Sequence, residues 1–288
     1  MPRVLVTRPA LEARQWVEGL KRAGFDAAAL PLIEIAAVSD SASVAALQQA
    51  RQELDGYAAL MFVSGNAVAH FFNRKKAETQ YPRAETAIKS IANENALVLP
   101  WGLRLLAPGP GTAAALLAAG VAQSQIDAPP EDSGQFDSEA LWRLVGERDW
   151  KGRRVLIVRG QTRSASAEDG GTPGRDWLMR QWEQAGAAVD AVSVYERRAP
   201  QLGEAEVAMA RQAAADGAVW LFSSSEAVGN LVGQTALLQT GWGKARAIAT
   251  HPRIAGAVRA AGWGVVVESR PALADIASTL RSIESGDS

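Results

Sequence analysis

Short apolar runs alternate along this chain with longer amphipathic stretches, and turns rich in Gly, Pro, Ser and Thr separate them. Continuous aliphatic and β-branched runs mark strands covered on both faces, and stretches with helical spacing mark the helices that cover them. The pattern predicts strands over 3–7 and 25–30, along the run opening at Ala59, and over 103–107, 125–128, 153–159, 188–192, 218–222, 244–249 and 264–268. Helices are predicted from Pro9 to about 23, where Gly24 follows the last turn, over 43–54, from Ala67 onward, and over 113–120 after the turn at 109–112. Further helices fall at 139–145 with Ser138 as N-cap, from about 175, and over 203–215, 226–232, 253–261 and 273–283. Residues 73–95 read as a solvated helix or loop, 129–134 as a loop, and 160–174 as a polar Ser- and Gly-rich loop.

The pattern occurs twice, which bears on the whole fold. Val219-Trp-Leu-Phe-Ser-Ser-Ser-Glu-Ala-Val repeats the apolar run, small polar turn and Ala-Val helix start of Ala59-Leu-Met-Phe-Val-Ser-Gly-Asn-Ala-Val. Val4-Leu-Val-Thr-Arg-Pro pairs in the same way with Val155-Leu-Ile-Val-Arg-Gly, and the Ala-Gly helix end at 23–24 with that at 185–186. The Pro-Gly-Pro-Gly-Thr turn at 108–112 pairs with Thr-His-Pro-Arg-Ile at 250–254. Four pairs in one order indicate a duplicated α/β unit.

Strands alternating with helices imply parallel sheets, and their order implies two flavodoxin-like domains. The extended segments 32–38 and 192–198 run past their strand ends with alternating apolar residues, as expected of a two-stranded β linker. The first domain then takes 1–35 plus 199–288, and the second takes 39–191.

Composition narrows the chemistry. The hydrophobic content of 48% can fill two cores. A net charge of −1 gives no global field for a nucleic-acid backbone, so an anion must be held locally. The absence of cysteine excludes disulfides, thiolate metal sites and a cysteine nucleophile, and two distant histidines argue against a His-based metal site. No apolar run approaches the roughly 20 residues that span a bilayer, and the N-terminus meets arginine without a signal-peptide core. A cytoplasmic monomer without membrane or nucleic-acid partners is the expectation.

Ligands of parallel sheets sit beyond the carboxyl ends of the strands, near helix N-termini. That rule selects Thr7 and Arg8, Ser64-Gly65-Asn66, the turn from Gly109 to Thr112, Arg159 and Gly160, Ser223-Ser224-Ser225, and His251 with Arg253. Hydroxyls, glycines and arginines beside free backbone N–H groups suit carboxylates or phosphates. Each turn is also readable as a helix cap. His251 suits a structural or anion-contacting role, and His70 a helix face. Tyr195 places an ionisable hydroxyl on the linker segment, where the alternative is a tyrosine that packs between the two domains.

Other chemistries find weaker support. Gly109-Pro-Gly-Thr-Ala-Ala114 fits a loose dinucleotide fingerprint, but Pro110 removes a donor and no acidic residue ends a second strand at the required distance. No phosphate-loop motif and no Gly-x-Ser-x-Gly elbow is present. A non-catalytic polycarboxylate- or nucleotide-binding module and a dinucleotide-dependent oxidoreductase remain as alternatives.

The chain resembles the uroporphyrinogen-III synthase family through Val-Thr-Arg-Pro at 6–9, Phe-Val-Ser-Gly-Asn-Ala-Val at 62–68, Gly-Pro-Gly-Thr-Ala at 109–113 and Asp-Ser-Glu-Ala-Leu at 137–141. Arg-Gly at 159–160, Gly-Arg-Asp-Trp-Leu at 174–178, Val-Tyr-Glu-Arg at 194–197 and Phe-Ser-Ser-Ser-Glu-Ala-Val at 222–228 extend it over nearly the whole chain. The resemblance implies a cofactor-free enzyme with its active site in a cleft between two domains. The substrate would be hydroxymethylbilane, a linear polycarboxylated tetrapyrrole received by transient hand-over from hydroxymethylbilane synthase. It would be closed with loss of water and inversion of the last ring, with Tyr195 as proton donor to the departing hydroxyl. The chain departs from the family at His251-Pro-Arg-Ile254, where many relatives repeat a Gly-Pro-x-Thr turn, and in an insertion at 161–172 that either lengthens a cleft loop or lacks fixed structure.

Overall fold

The structure, a computed structural model, describes residues 2–72, 97–130, 138–162 and 173–285. In chain order these form β1 (Val4–Val6), α1 (Ala10–Arg22), β2 (Ala27–Ala29), β3 (Glu34–Ala37), α2 (Ser41–Gln52), β4 (Ala59–Phe62), α3 (Gly65–Phe72), β5 (Arg104–Leu106), α4 (Pro110–Ala118), β6 (Ile126–Asp127) and α5 (Ser138–Val145). There follow β7 (Arg154–Thr162), α6 (Pro173–Gln184), β8 (Ala188–Arg198), α7 (Glu204–Ala213), β9 (Val219–Phe222), α8 (Ser225–Val232), β10 (Arg246–Ala249), α9 (Pro252–Ala260), β11 (Val265–Glu268) and α10 (Leu273–Ser285).

The chain divides into two compact units, one of residues 1–35 and 198–288 and one of residues 36–197. The first holds a five-stranded sheet of order β11-β10-β9-β1-β2, all parallel. The six-stranded sheet has the order β3-β8-β7-β4-β5-β6, parallel from β8 to β6. In chain order the five-stranded sheet reads 2-1-3-4-5, the flavodoxin-like order, and β8 to β6 of the six-stranded sheet keep that spatial order as a circular permutation, with β7 and β8 in the places of strands one and two and β3 added at the edge. The chain leaves the first unit within β3 and returns to it at the end of β8, and these two strands pair. Arg198 there meets Glu34 at 2.6 Å.

Strand alternation explains the layers. Leu5, Trp220 and Phe222 face one side of the five-stranded sheet and pack with Leu231, Trp242 and Trp263. Val4, Val6, Val219 and Leu221 face the other, against Leu20, Ile276 and Leu280 of α1 and α10. In the second unit Trp182 is fully buried, with Trp142 and Trp150 edge-on at 6.0 Å. Helix α1 ends as read, with Gly24 at φ 92°, and Gly186 beyond α6 repeats this at φ 86°; both take the left-handed conformation that lets a helix stop and turn into a strand.

Several boundaries differ from the pattern-based reading. Helix α3 begins at Gly65, so Gly65 and Asn66 belong to its first turn. Ser138 is the first residue of α5, inside the helix instead of capping it. The strand ending predicted at 159 continues to Thr162, because Gly160, Gln161 and Thr162 pair with Tyr195, Glu196 and Arg197 of β8. Polar side chains had marked those residues as loop, but backbone pairing holds them. Strand β8 is one unbroken element in which the predicted strand 188–192 and linker segment 192–198 are continuous. The polar stretch 73–95 and residues 163–172 of the insertion lie outside the described residues.

At the edge of the six-stranded sheet, Asp127 is 8% exposed and accepts from Arg104 at 2.6 and 2.9 Å and from Arg148 at 2.7 Å. Burial alone would push its carboxyl up, but bonds from Arg148 and Arg104 outweigh burial and hold it below the ordinary range. A depressed native value contributes stability that is present above the unfolded carboxylate value and is lost as pH falls through the native one. Asp127→Asn is therefore expected to cost about 2 kcal/mol near neutrality, discounted for the partly exposed arginines. It should also flatten the acid limb of a plot of Tm against pH; an unchanged limb would show that the cluster is uncoupled from folding.

Candidate functional site

The residues selected from the sequence collect at the carboxyl ends of the two sheets, within each unit separately. In the first unit β1 and β9 are neighbours in register, Val6 with Leu221. Thr7 follows with 1% exposure, its hydroxyl donating to the Leu221 carbonyl at 2.8 Å. That bond ties β1 to β9 just before their turns. Two residues past the register pair stand Arg8 and Ser223. Arg8 is braced by Glu12 at 3.2 Å and lies over Trp16, 4.5 Å from the ring centroid. Its Nε and the Ser223 Oγ are buried polar atoms without a hydrogen-bond partner among the described residues.

Ser224 caps α8, its hydroxyl accepting from the Glu226 N–H at 3.2 Å, and Ser225 opens that helix. His251 caps α9 in the same manner, Nδ1 accepting from the Arg253 N–H at 3.1 Å, so the ring does here what a Thr or Ser commonly does. Arg253 and His251 are exposed. An open cavity of about 370 Å³ lies beside this cap, lined by Thr250, His251, Glu268 and Arg270 among others.

In the second unit the neighbouring strands at the equivalent point are β7 and β4. Ser64, just past β4, accepts from the Ala67 N–H at 3.2 Å and so caps α3. Gly65 opens α3 beside α4, where a Cβ would make only an ordinary contact with the Ala115 Cβ at 3.5 Å. Gly109 caps α4 with Pro110 in its first turn, and Thr112 is buried inside it. Arg159 and Gly160 lie in β7 beside β8, the strand that carries Tyr195.

Tyr195 is 1% exposed. Its hydroxyl lies 3.4 Å from Ser64 Oγ and accepts from Arg197 Nη2 at 3.3 Å. The His70 ring stands 5.7 Å from the tyrosine ring, half-buried, and burial pushes its imidazole value down, favouring the neutral form. Glu196, 2% exposed, turns away to accept from the N–H and hydroxyl of Ser39. The structure thus brings Tyr195, Ser64 and Gly160 together, and adds Arg197 and His70, which the sequence reading left without a role. The signal for Arg197 was present: residues two apart on a strand share a face.

Each rim combines helix N-termini with hydroxyl and guanidinium donors, a setting that favours anions by roughly 0.3–1 kcal/mol per exposed helix end. Among the described residues no group of three or more His, Asp or Glu side chains could hold a metal ion, and no helix is long and apolar enough to cross a membrane.

Two parallel sheets wound with helices, one in each unit, place the chain among two-domain α/β proteins. Within that class, the family model for uroporphyrinogen-III synthase HemD matches residues 14–278, and the chain belongs to that family of enzymes, which cyclise hydroxymethylbilane in tetrapyrrole biosynthesis. Among solved structures, the chain is similar to a mutant uroporphyrinogen III synthase from the extremely thermophilic bacterium Thermus thermophilus, with 16% identity, a TM-score of 0.50 and coverage of 99% of this chain and 98% of that one. The uroporphyrinogen-III synthetase of Helicobacter pylori aligns with 13% identity and a TM-score of 0.46, covering 99% of each chain.

Proposed function

We propose that this chain closes hydroxymethylbilane to uroporphyrinogen III with loss of water and inversion of ring D. The observation that carries the reading is the family match across residues 14–278. The chemistry asks little of acids and bases, since the pyrrole nitrogen already assists departure of the hydroxyl and simple closure proceeds unaided. The protein's task is to decide which carbon attacks, and orientation of a held substrate supplies such selectivity.

In this reading the rims grip the substrate carboxylates. Arg8, Ser223, Ser224 and Ser225, with His251 and Arg253, serve in the first unit; Ser64, Gly65, Asn66, Gly109, Thr112 and Arg159 serve in the second. The unpartnered Ser223 Oγ and Arg8 Nε support this assignment, because buried polar atoms ordinarily find partners. Thr7, its hydroxyl engaged with Leu221, holds Arg8 in place from behind. Tyr195 gives its proton to the departing hydroxyl, which leaves as water, and the proton shed when the attacked pyrrole regains aromaticity balances the charge.

The reading extends to a cytoplasmic monomer that takes its substrate by transient hand-over from hydroxymethylbilane synthase, since an intermediate that closes by itself is best passed on quickly. The test is to supply fresh hydroxymethylbilane, quench, oxidise and separate the uroporphyrin isomers. Isomer III in excess of the enzyme-free control is the expected result; isomer I alone from folded protein would overturn the proposal and leave a polycarboxylate-binding module.

A further inference from the structure

Strands β7 and β8 pair in step from Arg154 opposite Ala188 to Arg159 opposite Ser193, and then the register shifts so that Gly160 stands opposite Tyr195. Val194 is the extra residue. A bulge of this kind bends its strand and re-aims the side chain beside it. Val194, Tyr195 and Glu196 beside it are all buried, at 1, 1 and 2% exposure.

The re-aimed ring lies across the backbone of residue 160. A Cβ built on Gly160 would overlap the tyrosine ring, against Cε2 and Cζ and 2.8 Å from Cδ2. Any residue other than glycine would therefore displace the ring. In its present place the ring carries its hydroxyl to Ser64 Oγ and Arg197 Nη2. A guanidinium can only donate, so the phenol oxygen is the acceptor in the bond from Arg197 and its own proton remains available.

We propose that Gly160 is a positioning residue, whose missing side chain and adjacent bulge seat Tyr195 for proton transfer, and that it acts through the ring instead of touching substrate. The proposal rests on the donor role given to Tyr195 above.

Two mutant cycles on the full chain test it. In the thermal cycle, Gly160→Ala lowers Tm by about 5 °C when Tyr195 is present and by less than about 1 °C in a Tyr195→Ala background, where the added methyl meets no ring. Should Gly160→Ala alone fail to fold, recovery of folded protein on adding Tyr195→Ala gives the same support. In the kinetic cycle, followed by isomer III formation from hydroxymethylbilane, Gly160→Ala lowers kcat about ten-fold or more while KM stays within about two-fold. The double variant Gly160→Ala/Tyr195→Phe is then no slower than Tyr195→Phe. Equal Tm losses in both backgrounds, kinetic losses that multiply, or native kcat in Gly160→Ala each overturn the seating role. Full turnover in Tyr195→Phe, by contrast, overturns the donor role itself.

Discussion

Tyr195→Phe is expected to form isomer III about a hundred-fold more slowly than the native chain, the scale on which a positioned general acid contributes. The substitution removes one oxygen and keeps the ring, so the seat over Gly160 is preserved. The hydroxyl's bonds to Ser64 and Arg197, at 3.4 and 3.3 Å, are long, and their loss should cost less than about 1 kcal/mol of stability. The effect should fall on kcat, with KM within about two-fold, because the proton is given up only as the hydroxyl departs. Unaided closure continues in the variant and yields isomer I, so the ratio of isomers is a sharper readout than substrate loss. Turnover within about two-fold of native would remove proton donation by Tyr195 and leave orientation as the main source of catalysis.

Trp220→Ala is expected to give the largest loss of stability, about 4 kcal/mol, through the cavity left by a fully buried indole. Trp220 stacks on Phe222 at 5.9 Å and meets Trp242 and Trp263 edge-on at 5.5 and 5.9 Å. Its indole N–H also donates to the Ala213 carbonyl, fastening the last turn of α7 to the sheet. Neighbours this large cannot easily collapse into the vacated space. Trp220→Phe keeps part of the stack and should lose roughly half as much. Denaturant unfolding of the two variants measures both values, and a Trp220→Ala loss under about 1 kcal/mol would show that the cluster repacks freely.

The elements that could be read from the sequence are those whose burial shows as apolar runs. Val219–Phe222 and Ala59–Phe62 announce central strands because both their faces are covered. Gly24 and Gly186 announce helix ends because few other residues adopt that conformation cheaply. What stayed hidden depends on pairing across long separations. Gly160, Gln161 and Thr162 are polar and look like loop, yet they extend β7 because β8 lies beside them. Tyr195 was recognisable as an ionisable hydroxyl on an extended segment, but its contact with Ser64 spans 131 positions and leaves no local mark. Arg197 was visible within a motif without its bond to the phenol. Thr7 was read as a ligand donor, and only the fold shows its hydroxyl engaged with a carbonyl 214 positions away.

That same bond sets a timetable for biosynthesis. Thr7, just past β1, is made well before its partner Leu221 of β9, which is translated 214 residues later, a delay on the order of ten to forty seconds at ordinary elongation rates. The unit of residues 36–197 is contiguous and can complete itself in that interval. Until then Val4-Leu5-Val6 has no partner on the β9 side, an apolar edge of the sort that chaperones shield. The contiguous unit can thus close before the split one, whose second segment, residues 198–288, is made only afterwards.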